Sequence, residues 1–388
     1  MNTSKIMEMF EWGRKTLFEI PPEEQEKYIE NIGKPKGDWD RSFKQYCCIE
    51  FFSNWQRTLL LNLLAIILII IYIPYAFVKY FFNKRIPKRK VDAIGEFKGL
   101  TEIIPVSLSK KYEINNDYWF VGSELSPSDL NYVCKLICEY FFYPYFLFKN
   151  VAKVARYSYT ISHFSPKAII VHDEYSFTSS LLTDYCERNN VMHINVMHGE
   201  KFYTIGTGYF RFHKCYAWGE HYVKLFTDLY ADEKQFVIEL PPSLKIDVKK
   251  YFDSKQFVDY KYYLQIYTED QLKTIVNCME ILKQNGFSIL YRPHPRASNM
   301  SLLKKYVVVS EIENPLDVNI ETSISNTNHV ISGFSTVMNQ AYYAGIDILF
   351  DDITYNEIFA NLKKYRYILS KEKLSTFSSV VNYYKNEI

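Results

Sequence analysis

The sequence predicts an α/β protein of two Rossmann-like domains that follow an N-terminal helical, membrane-associated segment. Three observations carry this expectation. From Lys167 onward, short apolar runs alternate with helical patterns, the cadence of a parallel sheet. A charged, Pro-containing stretch, residues 239–255, interrupts the cadence, which restarts at Tyr262. One long apolar run, residues 58–82, lies ahead of both. At 388 residues the chain is long enough for two domains and a sizeable core. The boundaries read from these patterns are 1–57 for a helical region, 58–90 for the hydrophobic helix with its basic flank, and 91–245 and 256–388 for the two α/β domains.

Residues 1–20 do not read as a signal peptide, because Glu8, Glu11, Arg14 and Lys15 break up the apolar character. Residues 58–82, TLLLNLLAIILIIIYIPYAFVKYFF, match the roughly 20 apolar residues needed to cross a bilayer core. Tyr72, Tyr75 and Tyr80 suit the interface. Lys84, Arg85, Lys88, Arg89 and Lys90 follow directly, a cluster expected to stay cytoplasmic and to hold anionic head groups. The run is therefore expected to enter the membrane, spanning or monotopic, with lipids as a partner; the alternative is a buried core helix. Residues 140–148, YFFYPYFLF, are too short to span and either lie on the membrane or pack.

In the first α/β domain, strands are expected at Ala168–Val171, Met192–Val196 and 214–218, with a helix over 177–188. In the second, strands are expected at 262–267, 287–291 and 329–331. Thr268 and Gln271 have the spacing of a capping box and open a helix that ends near Asn285-Gly286. A further helix runs from Pro315 to about Asn326, and another begins at Ser335.

A net charge of +2 gives no nucleic-acid footprint, so no nucleic-acid partner is expected. The 34 Tyr and 28 Phe are spread widely and read as packing rather than as a base-stacking platform. Seven cysteines form no metal-ligand array, and the expectation is reduced, buried thiols with no metal. Asp38-Trp39-Asp40 is the one Asp-x-Asp, and it reads as a loop ahead of the apolar run rather than a strand-end metal ligand. Glycine-rich phosphate loops and the Gly-x-Ser-x-Gly elbow are absent from the sequence.

The strongest chemical feature is Tyr291-Arg292-Pro293-His294-Pro295-Arg296, at the C-terminal end of an expected strand, where open α/β sheets bind ligands. The prolines stiffen the backbone around His294, and an imidazole between two guanidinium groups suits a departing phosphate. The alternative is a surface loop whose His merely caps a neighbouring helix. One strand and helix later come Ser332, Gly333, Ser335 and Thr336, with Gly333 permitting close approach and the hydroxyls converging on an anion at a helix N-terminus. An ordinary N-cap is the alternative there. In the first domain Asp173 and Glu174 follow a buried strand, and His198, Gly199 and Glu200 follow the next. Each of the three carboxylates is a candidate general base. The pair Asp351-Asp352 reads as a strand-end loop.

On His294-Pro295, Ser335-Thr336 and His198-Gly199, residues 167–370 resemble the GT-B-fold bacterial sialyltransferases and polysialyltransferases and related capsule or lipopolysaccharide glycosyltransferases. The resemblance implies that His294 assists departure of the nucleotide, that Ser335 and Thr336 bind its phosphate, and that catalysis is metal-independent. With the neighbouring residues of these loops, the expected donor site comprises Arg292, Pro295, Arg296, Ser332, Gly333, His198 and Gly199, and the acceptor is expected on the first domain. The expected partners are a nucleotide-sugar donor, with CMP-sialic acid as one candidate, and a glycan or lipid-linked glycan acceptor at the cytoplasmic face of a bacterial inner membrane. No other cofactor is expected. The family's acidic motif ends in Gly, where this chain has Tyr175, so Asp173, Glu174 and Glu200 stay open as the base. Two alternatives also stay open: transfer of another unit, Kdo or glycerol phosphate from a CDP donor, and a catalytically inactive assembly subunit.

Overall fold

A computed structural model describes residues 12–83, 89–119, 121–370 and 375–385. Two compact units share the chain: one runs to His198 and resumes over Thr204–Pro241, and the other takes Gly199–Tyr203 and everything from Pro242. The stretch expected to be a linker holds a turn at Pro242–Leu244 and a short helix, Val248–Tyr251.

The first unit is built on a six-stranded sheet of order β2-β1-β3-β4-β5-β6, with every neighbouring pair parallel. The strands are β1 (Ala93–Gly95), β2 (Ile114–Asn115), β3 (Ala168–Val171), β4 (Met192–Val196), β5 (Lys214–Ala217) and β6 (Phe236–Ile238). β3 is buried along its whole length, as its unbroken apolar run requires. On one face Ala168, Ile170, Ile194, Val196 and Tyr216 pack with Phe97, Leu108 and Tyr112. Each Val, Leu, Ile or Phe among them contributes about 1.5–3 kcal/mol on burial.

Helices before Val91 belong to this unit. The Asp-x-Asp residues lie in the first turn of helix Asp38–Glu50, not in a loop. Acidic residues suit the positive end of the helix dipole, and Asp38 pairs with Arg211 while Asp40 accepts from the Lys36 amide at 2.7 Å. The helix docks on helix Ser179–Arg188, where Ser42 accepts the Leu181 amide at 2.8 Å and Trp39 donates to Asp184 at 3.0 Å. The long apolar run forms helix Trp55–Asn83, with a mean hydropathy of 2.5, long and apolar enough to cross a membrane. In its basic flank residues 84–88 lie outside the described residues. Within 140–148, Tyr140, Phe146 and Leu147 are buried, whereas Phe141 and Phe142 face outward. The cysteines are free thiols, but Cys134 and Cys138 are exposed rather than buried, because they sit on the outer face of helix Leu130–Tyr140.

The second unit carries a four-stranded parallel sheet of order β10-β9-β7-β8. Its strands are β7 (Val258–Tyr263), β8 (Ile289–Arg292), β9 (Thr327–Ser332) and β10 (Asp347–Phe350). β7 begins four residues earlier than expected and ends at Tyr263, because Lys261, a buried charge, hides its apolar character. The capping box forms as expected: Thr268 accepts the Gln271 amide and Gln271 accepts the Thr268 amide, opening helix Glu269–Gln284. Tyr262, Leu272, Ile275, Met279, Leu282 and Tyr291 form the centre of this unit's core.

At the heart of the first unit, His193 on β4 is fully buried between two helices. Its Nε2 lies 3.0 Å from the Tyr157 hydroxyl and its Nδ1 2.8 Å from Thr183 Oγ1. Burial, with His213 and Lys153 nearby, holds the ring far below its ordinary pKa, so it stays neutral in the fold. The unfolded chain takes up a proton near pH ~6.5, so stability falls as the pH drops below that value. This group's share is at most about 1.4 kcal/mol per pH unit. Urea unfolding between pH 5 and 8 is expected to show a shallower acid slope for His193→Gln than for the parent chain; identical slopes would contradict the assignment.

Candidate functional site

Because β7 to β10 are parallel, the loops after them emerge on one edge of the second unit's sheet. After β8 the chain turns through Pro293 into His294, which is exposed, as are Pro295 and Arg296. His294 Nδ1 accepts the backbone amides of Arg296 at 3.2 Å and Ala297 at 3.1 Å. Two N–H donors at Nδ1 leave the neutral ring's proton on Nε2. His294 therefore caps the turn of its own loop rather than a neighbouring helix, and that role is compatible with a chemical one: one nitrogen caps the turn and the other is left as a donor.

This loop is tied to its neighbours. The His294 amide donates to Ser298 Oγ at 2.8 Å, and Ser298 Oγ donates to the Gln265 carbonyl at 3.0 Å, on the loop after β7. Gln265 Nε2 in turn donates to the Phe334 carbonyl, on the loop after β9. Ser332 Oγ donates to the Tyr263 carbonyl at 3.0 Å. With strands about 4.8 Å apart, the ends of β8 and β9 stand roughly 10 Å from each other across β7. Ser335 is the N-cap of helix Thr336–Tyr343, its hydroxyl accepting the Val337 amide at a long 3.4 Å, and Thr336 is exposed in the first turn. That end of the helix presents amides and hydroxyls suited to an anion. Gly333 is required, but by a protein neighbour: a Cβ there would collide with the Tyr355 ring.

Arg292 departs from the expected picture of two guanidinium groups flanking the imidazole. Its side chain turns inward, pairing with Glu313 Oε2 at 2.5 Å and donating to the Val318 carbonyl at 2.9 Å. Lys261, 1% exposed, takes the other oxygen of Glu313 at 2.6 Å and donates to the Ser323 carbonyl at 2.9 Å. Arg292 is therefore a brace beneath the loop, and Arg296 is the exposed guanidinium beside His294. Asp351 and Asp352 are also braces. Tyr262 donates to Asp351 at 2.5 Å, and Asp352 accepts from the Ser378 amide at 2.9 Å and hydroxyl at 2.6 Å.

In the first unit the ends of β1, β3 and β4 share an edge. Asp173 Oδ2 lies 3.1 Å from Lys153 Nζ, and the Asp173 amide donates to Asn195 Oδ1 at 2.8 Å. Glu174 is 1% exposed; its Oε2 accepts from Asn195 at 3.2 Å and its backbone carbonyl accepts from Gln45 at 2.9 Å. His198 Nδ1 lies 3.8 Å from Glu174 Oε1, and the His172 and His198 rings stand 4.3 Å apart. The acidic pair thus divides: Glu174 is walled in beneath His198, while Asp173 is the half-buried, reachable carboxylate. A residue the sequence reading missed joins it. Glu96 follows β1, and burial, then Asp173, raises its carboxyl above the usual range against the pull of Lys153, Trp119 and His172. Its sequence signal was weak, a three-residue strand ahead of Gly95-Glu96. Gly199, at φ 68°, and Glu200 belong to the second unit, where the neighbouring Phe202 stacks on Tyr367 and the Tyr203 amide donates to Tyr365 at 2.8 Å. Glu200 lies close enough to Tyr367 to help burial raise that phenol. Among the described residues no three His, Cys, Asp or Glu side chains gather as metal ligands.

No protein-family model matches the sequence, and no curated protein sequence matches it. Among solved structures the chain is similar to the wall teichoic acid polymerase TagF, at 10% identity and a TM-score of 0.37. That match covers 60% of this chain and 65% of the other, just under two thirds of its length. The chain is also similar to the glycotransferase of kitacinnamycin, at 10% identity and a TM-score of 0.42 over 77% of this chain and 91% of that one. Similarity to S. aureus MnaA bound to UDP is of the same order, with 11% identity, a TM-score of 0.42, and 76% and 87% coverage.

The brace under the His-Pro loop has a measurable consequence. Burial works against the Glu313 carboxylate, but Lys261, Ser323 and Arg292 outweigh it and hold the group below the usual carboxylate range. Its contribution is therefore complete above about pH 4.5 and is lost as the pH falls through the depressed value. Glu313→Ala strands two buried cations and is expected to cost about 3–5 kcal/mol at pH 7, read as a lower urea midpoint. An unchanged midpoint would show that the three groups are not coupled.

Proposed function

We propose that this chain is a GT-B-type glycosyltransferase that moves a sugar from a nucleotide donor to a bacterial surface polysaccharide or lipopolysaccharide at the cytoplasmic face of the inner membrane. The observation that carries the reading is the His294 imidazole, with Nδ1 occupied by two backbone amides and the Nε2 proton left to donate. A group held in that tautomer on a proline-stiffened loop suits one task, protonating or hydrogen-bonding a departing phosphate oxygen. Arg296 and the Ser335-Thr336 helix end supply the complementary charge and amides for the rest of the phosphate.

The step is a direct displacement. The acceptor hydroxyl oxygen bonds to the anomeric carbon, the bond from that carbon to the donor phosphate breaks, and the electron pair leaves on phosphate oxygen beside His294 Nε2. The acceptor proton goes to a general-base carboxylate, with Asp173, Glu174 and Glu200 still the candidates. Of the open candidates Asp173 is reachable and Glu174 is enclosed. Glu96 is better matched to neutral pH, because its raised pKa makes it a stronger base than an ordinary carboxylate. CMP-sialic acid is the first donor to test, on the strength of the His-Pro and Ser-Thr pairs.

His294→Ala is expected to lower kcat by about 10²–10⁴-fold while donor binding changes little. Ser335→Ala combined with Thr336→Ala is expected to act chiefly on donor KM. A screen of CMP-, CDP- and UDP-linked donors, read by release of the free nucleotide, decides the donor class. Release of UMP or UDP alone would overturn the sialyl assignment, and undiminished turnover in His294→Ala would overturn the role of the loop.

A further inference from the structure

Helix Trp55–Asn83 is long enough to cross a bilayer, yet it is fastened to the α/β unit along its middle. Asn62 Oδ1 accepts the Tyr145 amide at 3.1 Å, the Tyr72 ring lies 5.9 Å from Phe148, and the Ala76 carbonyl accepts the Leu125 amide at 3.0 Å. Ala65 and Ala76 are fully covered, small side chains that let helix Pro144–Phe164 come close. The fastened stretch, Asn62 to Ala76, extends about 21 Å, most of the thickness of a hydrocarbon core.

Crossing the membrane would therefore draw the partner helix in as well. That helix carries Lys149, Lys153 and Arg156, and Lys153 is bonded to Asp173 at the end of β3. Charged side chains and a sheet edge would lie at the depth where neither is tolerated outside a closed structure. The opposite face of the long helix has no such conflict. Leu63, Ile67, Ile70 and Ile71 are all exposed, with Ile70 68% exposed, and Phe81 and Phe82 extend the face. Phe142, 86% exposed, lies beside Trp55 and Leu59 around one 620 Å³ cavity, so the apolar surface continues onto the turn before helix Pro144–Phe164.

The charge pattern selects what covers this surface. Between Phe51 and Val91 the sequence has Arg57, Lys79, Lys84, Arg85, Lys88, Arg89 and Lys90 and no Asp or Glu. An anionic bilayer surface complements both the apolar face and these cations, whereas a second copy would bring the same positive cluster against itself. We propose that helix Trp55–Asn83 lies in the plane of the membrane, its outer face and Phe141-Phe142 sunk into the acyl boundary of anionic lipid, and that it does not span. The orientation is independent of which donor the enzyme uses.

The test uses the full chain with Cys134 and Cys138 replaced by Ser, carrying either Gln56→Cys, in the first turn of the helix, or Lys90→Cys, seven residues beyond its end. Sealed right-side-out and inverted membrane vesicles are treated with a membrane-impermeant maleimide. Both positions are expected to react from the same side; reaction from opposite sides would establish a spanning helix and overturn the proposal. In flotation assays the purified chain is expected to bind phosphatidylglycerol vesicles at least tenfold better than phosphatidylcholine vesicles. Ile67→Glu with Ile70→Glu, both on the exposed face, is expected to abolish that binding while the circular dichroism spectrum is retained. A soluble dimer that ignores vesicles, and dissociates on the same double substitution, would show that a second copy covers the face. Neither readout depends on turnover, so these results and those for His294 fail separately.

Discussion

Parallel strand pairing is the constraint on which the rest of this structure depends. A parallel neighbour can be reached only by a crossover that returns the chain to the same starting edge, so every strand of a sheet delivers its C-terminal residue to one rim. In the second unit that rule gathers the loops headed by Leu264, Pro293, Gly333 and Asp351. In the first it gathers Glu96, His172 and Met197. The chemistry of each rim is then set by a handful of residues one or two positions beyond the last strand bond, which is why short motifs carry so much of it.

What distinguishes the rim of the second unit is how much buried polar structure stands behind a small exposed feature. His294 has little packing of its own. Its position follows from Ser298, which joins it to the β7 loop, and from Arg292, which is anchored on Glu313. Gln265 extends the connection to the β9 loop. A loop held by hydrogen bonds at both ends loses little further freedom when a ligand arrives, so binding energy is not diverted into ordering it.

Much of this organisation was legible in the residues. β3 was read correctly because it is a short, unbroken apolar run and β4 because Met192, Ile194 and Val196 alternate with His193 and Asn195, and the Thr268 capping box and the Ser335 cap were read because their spacing is local. Several misreadings depend on residues far along the chain. The first strand of the second unit was expected to start only at Tyr262, just after the charged Lys261, whose partner Glu313 is 52 residues away. Arg292 looked like a ligand-facing guanidinium for the same reason. Asp38 and Asp40 looked like a loop beside Gly37, and only Arg211 and helix Ser179–Arg188 explain the helix they begin. β1, β2 and β6 have three residues or fewer, below the length at which periodicity distinguishes a strand, and Glu96 was missed with them.

The short excursion of Gly199–Tyr203 into the second unit makes the two units a pair that no single cut can separate. The chain leaves the first unit after His198, gives the second Phe202 for its cluster with Phe334 and Tyr367, and returns at Thr204. A gene divided at Pro241 would leave the downstream fragment with a hollow where Phe202 stacks and an unmatched Tyr365 carbonyl where Tyr203 donates. The upstream fragment would carry a loose apolar ring. Five residues of the second unit are encoded within the first.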